Sequence, residues 1–221
     1  MKTNKSFLAL SIISSALLFS CSKEKNEAPG VSYQMKTSSA SAPIGGRVAG
    51  GGIQWTSGHV WASEIEFEAE NDNVEVEYKT EMNQKLDLFA PLSSLGMITI
   101  PAGVYEDIEY EVEVAPNGTE AAFQVAGTFT DAAGVATPIK FQLNSKLEIE
   151  AKQANVAVTD GNNLTALTTL NLSVLTAGIA ETMLNDAERT NGTIEISPVS
   201  NASLYAMIVA NLKGCSSVEV D

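Results

Sequence analysis

The chain has 221 residues, enough for one domain or at most two. Hydrophobic residues make up 44% of it and charged residues 18%, a balance that excludes a compositionally disordered chain and a protein with many membrane spans. With 13 basic and 27 acidic side chains the net charge is −14, which disfavours nucleic acid as a partner. Two cysteines are too few for a disulfide framework, so burial of apolar side chains must hold the fold together.

The N-terminus has the pattern of a secretory signal peptide, which we place at residues 1–20. Lys2 and Lys5 precede an apolar run at residues 7–19, and the small residue Ser20 follows it. At about 1.5 Å of rise per residue this run is roughly 20 Å long as a helix, whereas a membrane-spanning helix crosses about 30 Å of hydrocarbon. The run therefore predicts a targeting segment and not a transmembrane helix.

The residues around Cys21 indicate covalent attachment of lipid. The sequence Leu-Phe-Ser-Cys at residues 18–21 resembles the bacterial lipobox, in which the cysteine thiol is acylated and the cysteine becomes the mature N-terminus. This resemblance implies a membrane partner, bound through an N-terminal lipid on Cys21, because several acyl chains together hold a protein stably on a bilayer. Residues 22–27 are similar to the charged export signals of Bacteroidetes-type surface lipoproteins, which favours the cell surface over the periplasmic face. The alternative is an ordinary signal peptide cleaved near Ser20, with Cys21 unmodified.

The mature chain divides into three parts by composition. Residues 21–51 are rich in Ser, Ala, Gly and Pro and predict a flexible tether with a typical reach of about 30 Å. Residues 52–214 carry the regular hydrophobic patterns of one folded domain. Residues 215–221 are predicted to be a polar tail, in which Cys215 is either an unpaired free thiol or the site of an intermolecular link.

Most of the domain alternates apolar and polar residues with a period of two, which predicts β-strands with one buried face. Turn residues such as Asn71-Asp72-Asn73 and Pro116-Asn117-Gly118 separate the strands, and Gly127 marks a bulge or a close approach of two backbones. The apolar positions of the predicted strands are Trp61, Ile65, Phe67, Ala69, Val74, Val76, Tyr78, Ile108, Tyr110, Val112, Val114, Phe123, Val125, Phe129, Ile139, Phe141, Leu143, Leu147, Ile149, Val156, Val158, Leu170, Leu172 and Val174.

The last forty or so residues contain two segments with helical periodicity. Apolar residues at helical spacing predict one helix over residues 179–187 and another that begins at Ser200 as the N-cap and ends near Gly214. Many short strands followed by two helices predict a mainly β fold, a single antiparallel β-sandwich with two short C-terminal helices.

A motif in the middle of the domain resembles a known family of unknown function. Residues 98–108 read Ile-Thr-Ile-Pro-Ala-Gly-Val-Tyr-Glu-Asp-Ile, and with residues 86–90 they look like the core of a domain found in bacterial lipoproteins. Residues 192–212 are similar in placement to the C-terminal segment of that family. The resemblance implies a transthyretin-like or immunoglobulin-like sandwich in which Tyr105 and Ile108 pack, and it implies no catalytic residues.

Glutamates alternate with the apolar residues of the first predicted hairpin. A turn at Asn71-Asp72 pairs Glu66 with Glu77 and Glu68 with Glu75 on one exposed face. Like charges in direct opposition destabilise a sheet, by something within about 0.2–1 kcal/mol for each pair. One interpretation is a solvated face that maintains solubility and prevents edge pairing. The other is a shallow site for Ca²⁺ or a basic partner, since oxygen ligands suit a hard cation.

Little in the chain indicates catalysis, and no cofactor is predicted. The nucleophile, zinc, dinucleotide and redox motifs G-x-S-x-G, H-E-x-x-H, G-x-G-x-x-G and C-x-x-C are absent, and His59 is the only histidine. Carboxylates on neighbouring strands satisfy the spacing of a glycosidase without predicting a cleft. We expect Trp55 and Trp61 in the core, although both side chains together would also make a platform for stacking sugars.

These observations predict a lipid-anchored protein of the bacterial outer membrane that acts as a non-catalytic binding, adhesive or structural module. Its expected partners are the membrane, through the lipid, and a protein or glycan; nucleic acid is not expected. A calcium- or glycan-binding accessory lipoprotein is the first alternative, and an envelope hydrolase is the second.

Overall fold

The computed structural model describes residues 29–44, 51–72 and 74–220, and these residues form a mainly β fold with two α-helices, as predicted. The strands are β1 (Gly30–Ser38), β2 (Ser41–Pro43), β3 (Gly52–Asn71), β4 (Val74–Asp87), β5 (Ser93–Thr99), β6 (Gly103–Val114), β7 (Phe123–Thr130), β8 (Ala136–Leu143), β9 (Leu147–Val158), β10 (Leu164–Asn171), β11 (Arg189–Thr190), β12 (Thr193–Ile196) and β13 (Ser216–Val220). The helices are α1 (Glu181–Asn185) and α2 (Ala202–Leu212), and a 3₁₀ helix covers Leu172–Thr176.

The long strand β3 organises the larger of two sheets. Its first half pairs with β7 and its second half with β6 along one edge, while β2 and β4 pair with the other edge. Strands β8, β12 and β11 continue the sheet beyond β7, and β9 continues it beyond β6. Because the two branches diverge from one strand, the sheet curls into a half-barrel. The smaller sheet has the order β13, β10, β1 and β5.

One hydrophobic core contains buried residues of both sheets and of the two α-helices. Tyr33 of the smaller sheet stacks on Tyr110 of the larger one, with ring centroids 4.5 Å apart and an interplanar angle of 6°. The ring of Phe67 lies 6.3 Å from that of Tyr33. Aromatic side chains bury large apolar areas, so this cluster contributes strongly to the cohesion of the two sheets. Tyr105 and Ile108 are also buried, as the motif in this region implied.

Two strands occupy the region predicted as tether, and the prediction is wrong for that part of the chain. Strand β1 lies between β10 and β5, and it buries Val31, Tyr33 and Met35 in the core. The three residues alternate with polar ones, so they carry the period of a strand within a Ser- and Ala-rich surrounding. Residues 21–28 and 45–50 of the predicted tether lie outside the described residues.

The predicted polar tail is also part of the fold. Strand β13 pairs with β10, and the Cys215 carbonyl accepts a hydrogen bond of 2.7 Å from the backbone N–H of Asn171. The Cys215 side chain is only 3% exposed. The C-terminal residues therefore form an edge strand of the smaller sheet, and Cys215 belongs to the core.

The strand directions differ from the antiparallel sheets expected. Strand β1 runs parallel to β10, and β12 runs parallel to β8, so both sheets are mixed. Each parallel pair joins segments that are far apart in sequence. No short turn sequence connects such strands, so the sequence does not indicate that they pair. The N-cap of α2 also differs: it is Asn201, in the left-handed conformation, and not Ser200. Among the described residues no helix is long and apolar enough to cross a membrane.

Gly127 allows β7 to lie unusually close to β3, as the sequence suggested. A Cβ atom at this position would lie 2.0 Å from the carbonyl oxygen of Gln54, which is closer than any side chain tolerates. Gly58 on β3 is similar, since a Cβ there would lie 2.6 Å from the carbonyl oxygen of Gln124. The two glycines fit the irregular pairing of these strands, whose register shifts between Trp55 and Ser57.

Candidate binding surface

The β3–β4 hairpin differs from the predicted pairing by two residues. Asn71 pairs with Val74, and its side-chain oxygen accepts a 2.9 Å hydrogen bond from the Val74 backbone N–H. The turn is therefore centred one residue later than expected, and Glu66 opposes Lys79. A shift of two residues keeps every side chain on its predicted face of the sheet.

The predicted like-charge pairs are consequently wrong in detail. Glu68 opposes Glu77, and Glu75 opposes Glu70 instead of Glu68. The hairpin has three opposed glutamate pairs, because Glu64 also opposes Glu81, and Glu66 gains a lysine as its neighbour across the strands. The predicted face is still acidic, but the turn decides which carboxylates lie side by side.

The acidic surface is much wider than the hairpin. Four rows of outward-facing side chains cross β4, β3, β6 and β9, and every position is acidic except Lys79, Lys152 and Ala154. The rows are Glu81, Glu64, Glu113 and Glu148; Lys79, Glu66, Glu111 and Glu150; Glu77, Glu68, Glu109 and Lys152; and Glu75, Glu70, Asp107 and Ala154. We call this surface the acidic face. The sequence shows the alternation in each strand, but only the sheet brings β6 and β9 beside the hairpin.

Two lysines within the acidic face each bind a pair of carboxylates. The Lys79 ammonium lies 2.7 Å from a Glu64 oxygen and 2.9 Å from a Glu66 oxygen, and these hydrogen bonds raise the pKa of Lys79. The Lys152 ammonium lies 3.3 Å from Asp107 and 3.9 Å from Glu109. An ammonium group between adjacent strands therefore fits the spacing of this surface.

Three of the four predicted site residues come together in one carboxylate group. Oxygen atoms of Glu66, Glu68 and Glu77 lie within 4.8 Å of one another, whereas Glu75 is not part of this group. Calcium binds oxygen ligands at about 2.3–2.6 Å, so carboxylates at this spacing are able to share one ion. They approach it from one side of a sheet, and water would have to complete its coordination.

Glu111 is part of a second carboxylate group, which sequence reasoning missed. Its oxygen atoms lie within 4.8 Å of those of Glu148 and Glu150. Burial of the half-buried Glu111 raises its pKa, and the neighbouring charges of Glu148, Glu150 and Glu66 raise it further. Strand β9 supplies two of the three residues of the group, so no pattern within one hairpin predicts it.

Strand β4 is more exposed than its alternation predicts. Val74 is 37% exposed and Tyr78 is 40% exposed, although both were expected on a buried face. Strand β4 pairs only with β3 and forms an edge of the larger sheet. Periodicity assigns each residue to a face, but it does not show whether another layer covers that face.

The two tryptophans do not form a sugar-stacking platform. Trp55 is buried in the core, as expected, with 1% of its surface exposed. Trp61 instead is half-buried beside the outer face, and its indole N–H donates a 2.8 Å hydrogen bond to Glu120. The Lys85 ammonium lies 5.6 Å from the centre of the Trp61 ring and 2.7 Å from the other Glu120 oxygen.

A separate cleft lies beside the acidic face, in the region of His59. It has a volume of about 400 Å³ and is lined by Ser57, Gly58, His59, Lys85, Asp87 and Gln124. Burial and the nearby Lys85 lower the pKa of His59. Sequence reasoning did not identify this cleft, because its residues come from three strands and share no motif.

The predicted lipid-attachment residue Cys21 and the predicted signal peptide at residues 1–20 lie outside the described residues. Comparison of the chain with protein-family models, with curated proteins and with solved structures finds no match.

Proposed function

We propose that the protein is a lipid-anchored protein of the bacterial outer membrane that acts as a non-catalytic binding module. The lipobox-like residues 18–21 and the preceding signal-like residues 1–20 support the anchor at Cys21. Residues 22–28 separate this cysteine from Pro29, the first described residue. The charged residues 22–27 favour display at the cell surface over the periplasmic face.

The wide acidic face is the observation that carries the binding function. Glu66, Glu68, Glu75 and Glu77 belong to it, and we propose that it contacts a basic protein partner. Such a partner would place ammonium groups between successive outward-facing carboxylates of one strand, as Lys79 does with Glu64 and Glu66 of β3. A surface of one sign also accelerates association with a partner of the opposite sign.

The scaffold proposed for this display is a β-sandwich of the transthyretin-like or immunoglobulin-like kind. The stacked rings of Tyr33 and Tyr110, which come from different sheets, support two sheets facing each other across one core. The parallel pairs β1–β10 and β12–β8 give this scaffold a strand order unlike that of a purely antiparallel sandwich.

Calcium is the second candidate ligand of the acidic face. The groups Glu66, Glu68, Glu77 and Glu111, Glu148, Glu150 have the carboxylate spacing that a shared divalent ion requires. Binding of Ca²⁺ would also relieve repulsion between these carboxylates.

The anchor is tested by partition of the full chain between detergent and aqueous phases after expression in a bacterial host. We expect the unaltered chain in the detergent phase and Cys21→Ala in the aqueous phase. Cys215→Ala is the matched control and should partition like the unaltered chain, since Cys215 is buried in the fold. Detergent partition of Cys21→Ala would show that lipid on this cysteine is not the anchor.

The acidic face is tested by calorimetric titration with a lysine octapeptide and, separately, with CaCl₂. The double variant Glu68→Gln/Glu77→Gln should bind the peptide several-fold more weakly, and added salt should weaken binding to the unaltered chain. Glu106→Gln/Asp160→Asn removes the same charge at two exposed positions outside the four rows and is the control. Equal losses in both double variants would mean that net charge, and not the acidic face, governs binding. A calcium isotherm lost only in Glu68→Gln/Glu77→Gln would favour the second candidate.

A further inference from the structure

The cleft near His59 is made by side chains that the sheet register places side by side. His59 pairs with Asp87 of β4 on one side and with Gln124 of β7 on the other. Directly opposed residues on neighbouring strands have Cβ atoms about 4.5–5.5 Å apart, so the three side chains form one short row. Gln142 of β8 extends this row, and its amide N–H donates a 2.8 Å hydrogen bond to the Gln124 oxygen.

Backbone as well as side chains lines the cleft. Gly58 contributes only its backbone, and a Cβ atom there would lie 2.6 Å from the Gln124 carbonyl oxygen because β3 and β7 approach closely. The His59 ring forms one wall, and its Nε2 atom is shielded from water without a hydrogen-bond partner among the described residues. A volume of about 400 Å³ lies within the usual range of about 300–1,000 Å³ for small-molecule sites.

The charges in the cleft differ from those of the neighbouring acidic face. One cation, Lys85, and one anion, Asp87, line it, and the lowered pKa of His59 favours the neutral imidazole at neutral pH. Lys85 and the Gln124 amide N–H group supply donors, and Asp87 supplies acceptors. The Gln124 oxygen already accepts from Gln142, and one Asp87 oxygen accepts a 2.8 Å hydrogen bond from the Phe89 backbone N–H, so the other Asp87 oxygen is the acceptor for a ligand. A matching ligand must therefore both donate and accept hydrogen bonds while carrying no net charge.

Other classes of ligand fit this lining poorly. The lining has no large apolar side chain to hold a hydrophobic molecule. An anion such as phosphate meets only one cation, which Glu120 already neutralises at 2.7 Å, and it also meets Asp87. Hydroxyl groups of an uncharged sugar both donate and accept hydrogen bonds, so they match this lining. An uncharged sugar needs no large apolar contact and is not repelled by Asp87.

We propose that the cleft lined by Ser57, His59, Lys85, Asp87 and Gln124 binds an uncharged saccharide. Lys85 and Asp87 bind sugar hydroxyls from the β4 side, and Gln124 binds them from the β7 side. The site goes beyond the proposed function, because it depends neither on the lipid at Cys21 nor on the acidic face.

Trp61 provides a direct readout of occupancy. It lies beside the cleft, and Lys85 connects the two because its ammonium both faces the Trp61 ring and lines the cleft. A sugar bound to Lys85 changes the surroundings of the indole, whereas Trp55 is buried elsewhere in the core and should not respond. Trp61→Phe therefore removes the signal and identifies its source.

The test is a fluorescence titration of the full chain with glucose, galactose, mannose, N-acetylglucosamine, maltose, cellobiose and lactose. We expect at least one of these sugars to give a saturable change with a dissociation constant of about 1 mM or lower. Inorganic phosphate, titrated in the same way, should give none. The absence of a saturable change with every sugar up to about 50 mM, or saturation by phosphate instead, would overturn the proposal.

Two variants separate specific binding from a general effect on the protein. Ser57→Phe fills the cleft from an exposed position, and Gln124→Leu removes a donor and an acceptor, so each should weaken binding by about tenfold or more. Ser203→Phe adds the same ring at an exposed position of α2 and should bind within about twofold of the unaltered chain. Equal affinity in all three variants would place the sugar elsewhere and overturn the assignment. Loss of lipid anchoring or of peptide binding to the acidic face would leave this result unchanged.

Discussion

At the scale of single residues, neighbouring carboxylates of β6 have opposite environments. Burial and the charges of Glu148, Glu150 and Glu66 raise the pKa of Glu111. Hydrogen bonds from Lys146 and from the Ser63 hydroxyl lower the pKa of Glu113. Both residues alternate with buried apolar positions in the sequence, so the sequence predicts their exposure to the outer face but not the sign of either shift.

The substitution Glu111→Gln should stabilise the protein at neutral pH by about 0.2–1 kcal/mol, because it removes repulsion between cross-strand carboxylates. A raised pKa in the folded state means that stability falls as pH rises through that pKa. The gain in Glu111→Gln should therefore shrink as the pH is lowered through the carboxylate range. Chemical denaturation of the unaltered chain and of Glu111→Gln at several pH values measures this difference in the free energy of unfolding.

Glu113→Gln is the matched comparison and should have the opposite effect. Its carboxylate, with a lowered pKa, stabilises the folded state above the ordinary Glu pKa, and this contribution is lost as pH falls through the lowered value. We expect a loss of about 0.2–1 kcal/mol at neutral pH, limited by the exposure of Lys146. If both variants shift stability in the same direction, the two environments have been assigned wrongly.

Cys215 should be unreactive in the folded protein. Burial raises the pKa of its thiol to about 11, and only 3% of the side chain is exposed. Since the thiolate is the reactive form, iodoacetamide should label Cys215 in Cys21→Ala only after denaturant is added. Rapid labelling under native conditions, at the rate of a free thiol, would contradict the burial of the C-terminal segment.

At the scale of elements, β1 is a strand that the amino-acid composition of its region does not predict. Its neighbours in the chain are rich in Ser, Ala and Gly, which favours a tether, yet Val31, Tyr33 and Met35 alternate correctly for a strand. The partners β10 and β5 lie far along the chain, so only tertiary pairing gives this short pattern its structure. The acidic hairpin was recognised because both of its strands are adjacent in sequence, and its register still depended on the turn at Asn71.

Tyr33→Ala should destabilise the protein by about 3–5 kcal/mol, as expected for loss of a large buried aromatic side chain. Gln34→Ala, at the next position of β1, removes a half-buried polar side chain and should cost less than about 1 kcal/mol. Urea unfolding of the two full-length variants tests this difference. Equal and small losses in the free energy of unfolding for the two variants would mean that residues 30–38 are a tether and not a strand of the core.

At the scale of the whole molecule, the charge is distributed unevenly. The net charge is −14, and the four rows of the acidic face concentrate carboxylates on one side of the curled sheet. Their mutual repulsion opposes the folded state, while the core between the two sheets favours it. Since the screening length falls from about 10 Å at 0.1 M salt to about 3 Å at 1 M, added salt should reduce the repulsion.

The melting temperature should therefore rise when NaCl is increased from low concentration to about 0.5 M. Glu68→Lys places a cation between Glu77 and Glu109 and should stabilise the protein by about 0.2–1 kcal/mol at low salt. That gain should be largely lost at high salt. A melting temperature independent of salt, with no gain in Glu68→Lys, would show that the carboxylates do not repel one another appreciably.

The sequence by itself determined the mainly β class, the two late helices and the alternation of glutamates along individual strands. These are local properties, because a period of two and a helical period are both visible within a few residues. The signal peptide and the lipid on Cys21 are likewise predicted from local residues, and the partition experiment tests them.

Only the tertiary structure decided which strands are neighbours. It placed β1 between β10 and β5, joined β6 and β9 to the acidic hairpin, and brought His59, Asp87 and Gln124 into one row. Strand pairing between distant segments depends on which faces are buried together and on the register of the strands. A short stretch of sequence therefore does not predict which distant strand will be its neighbour. The alternation of each strand was therefore predictable, whereas the surfaces that the strands form together were not.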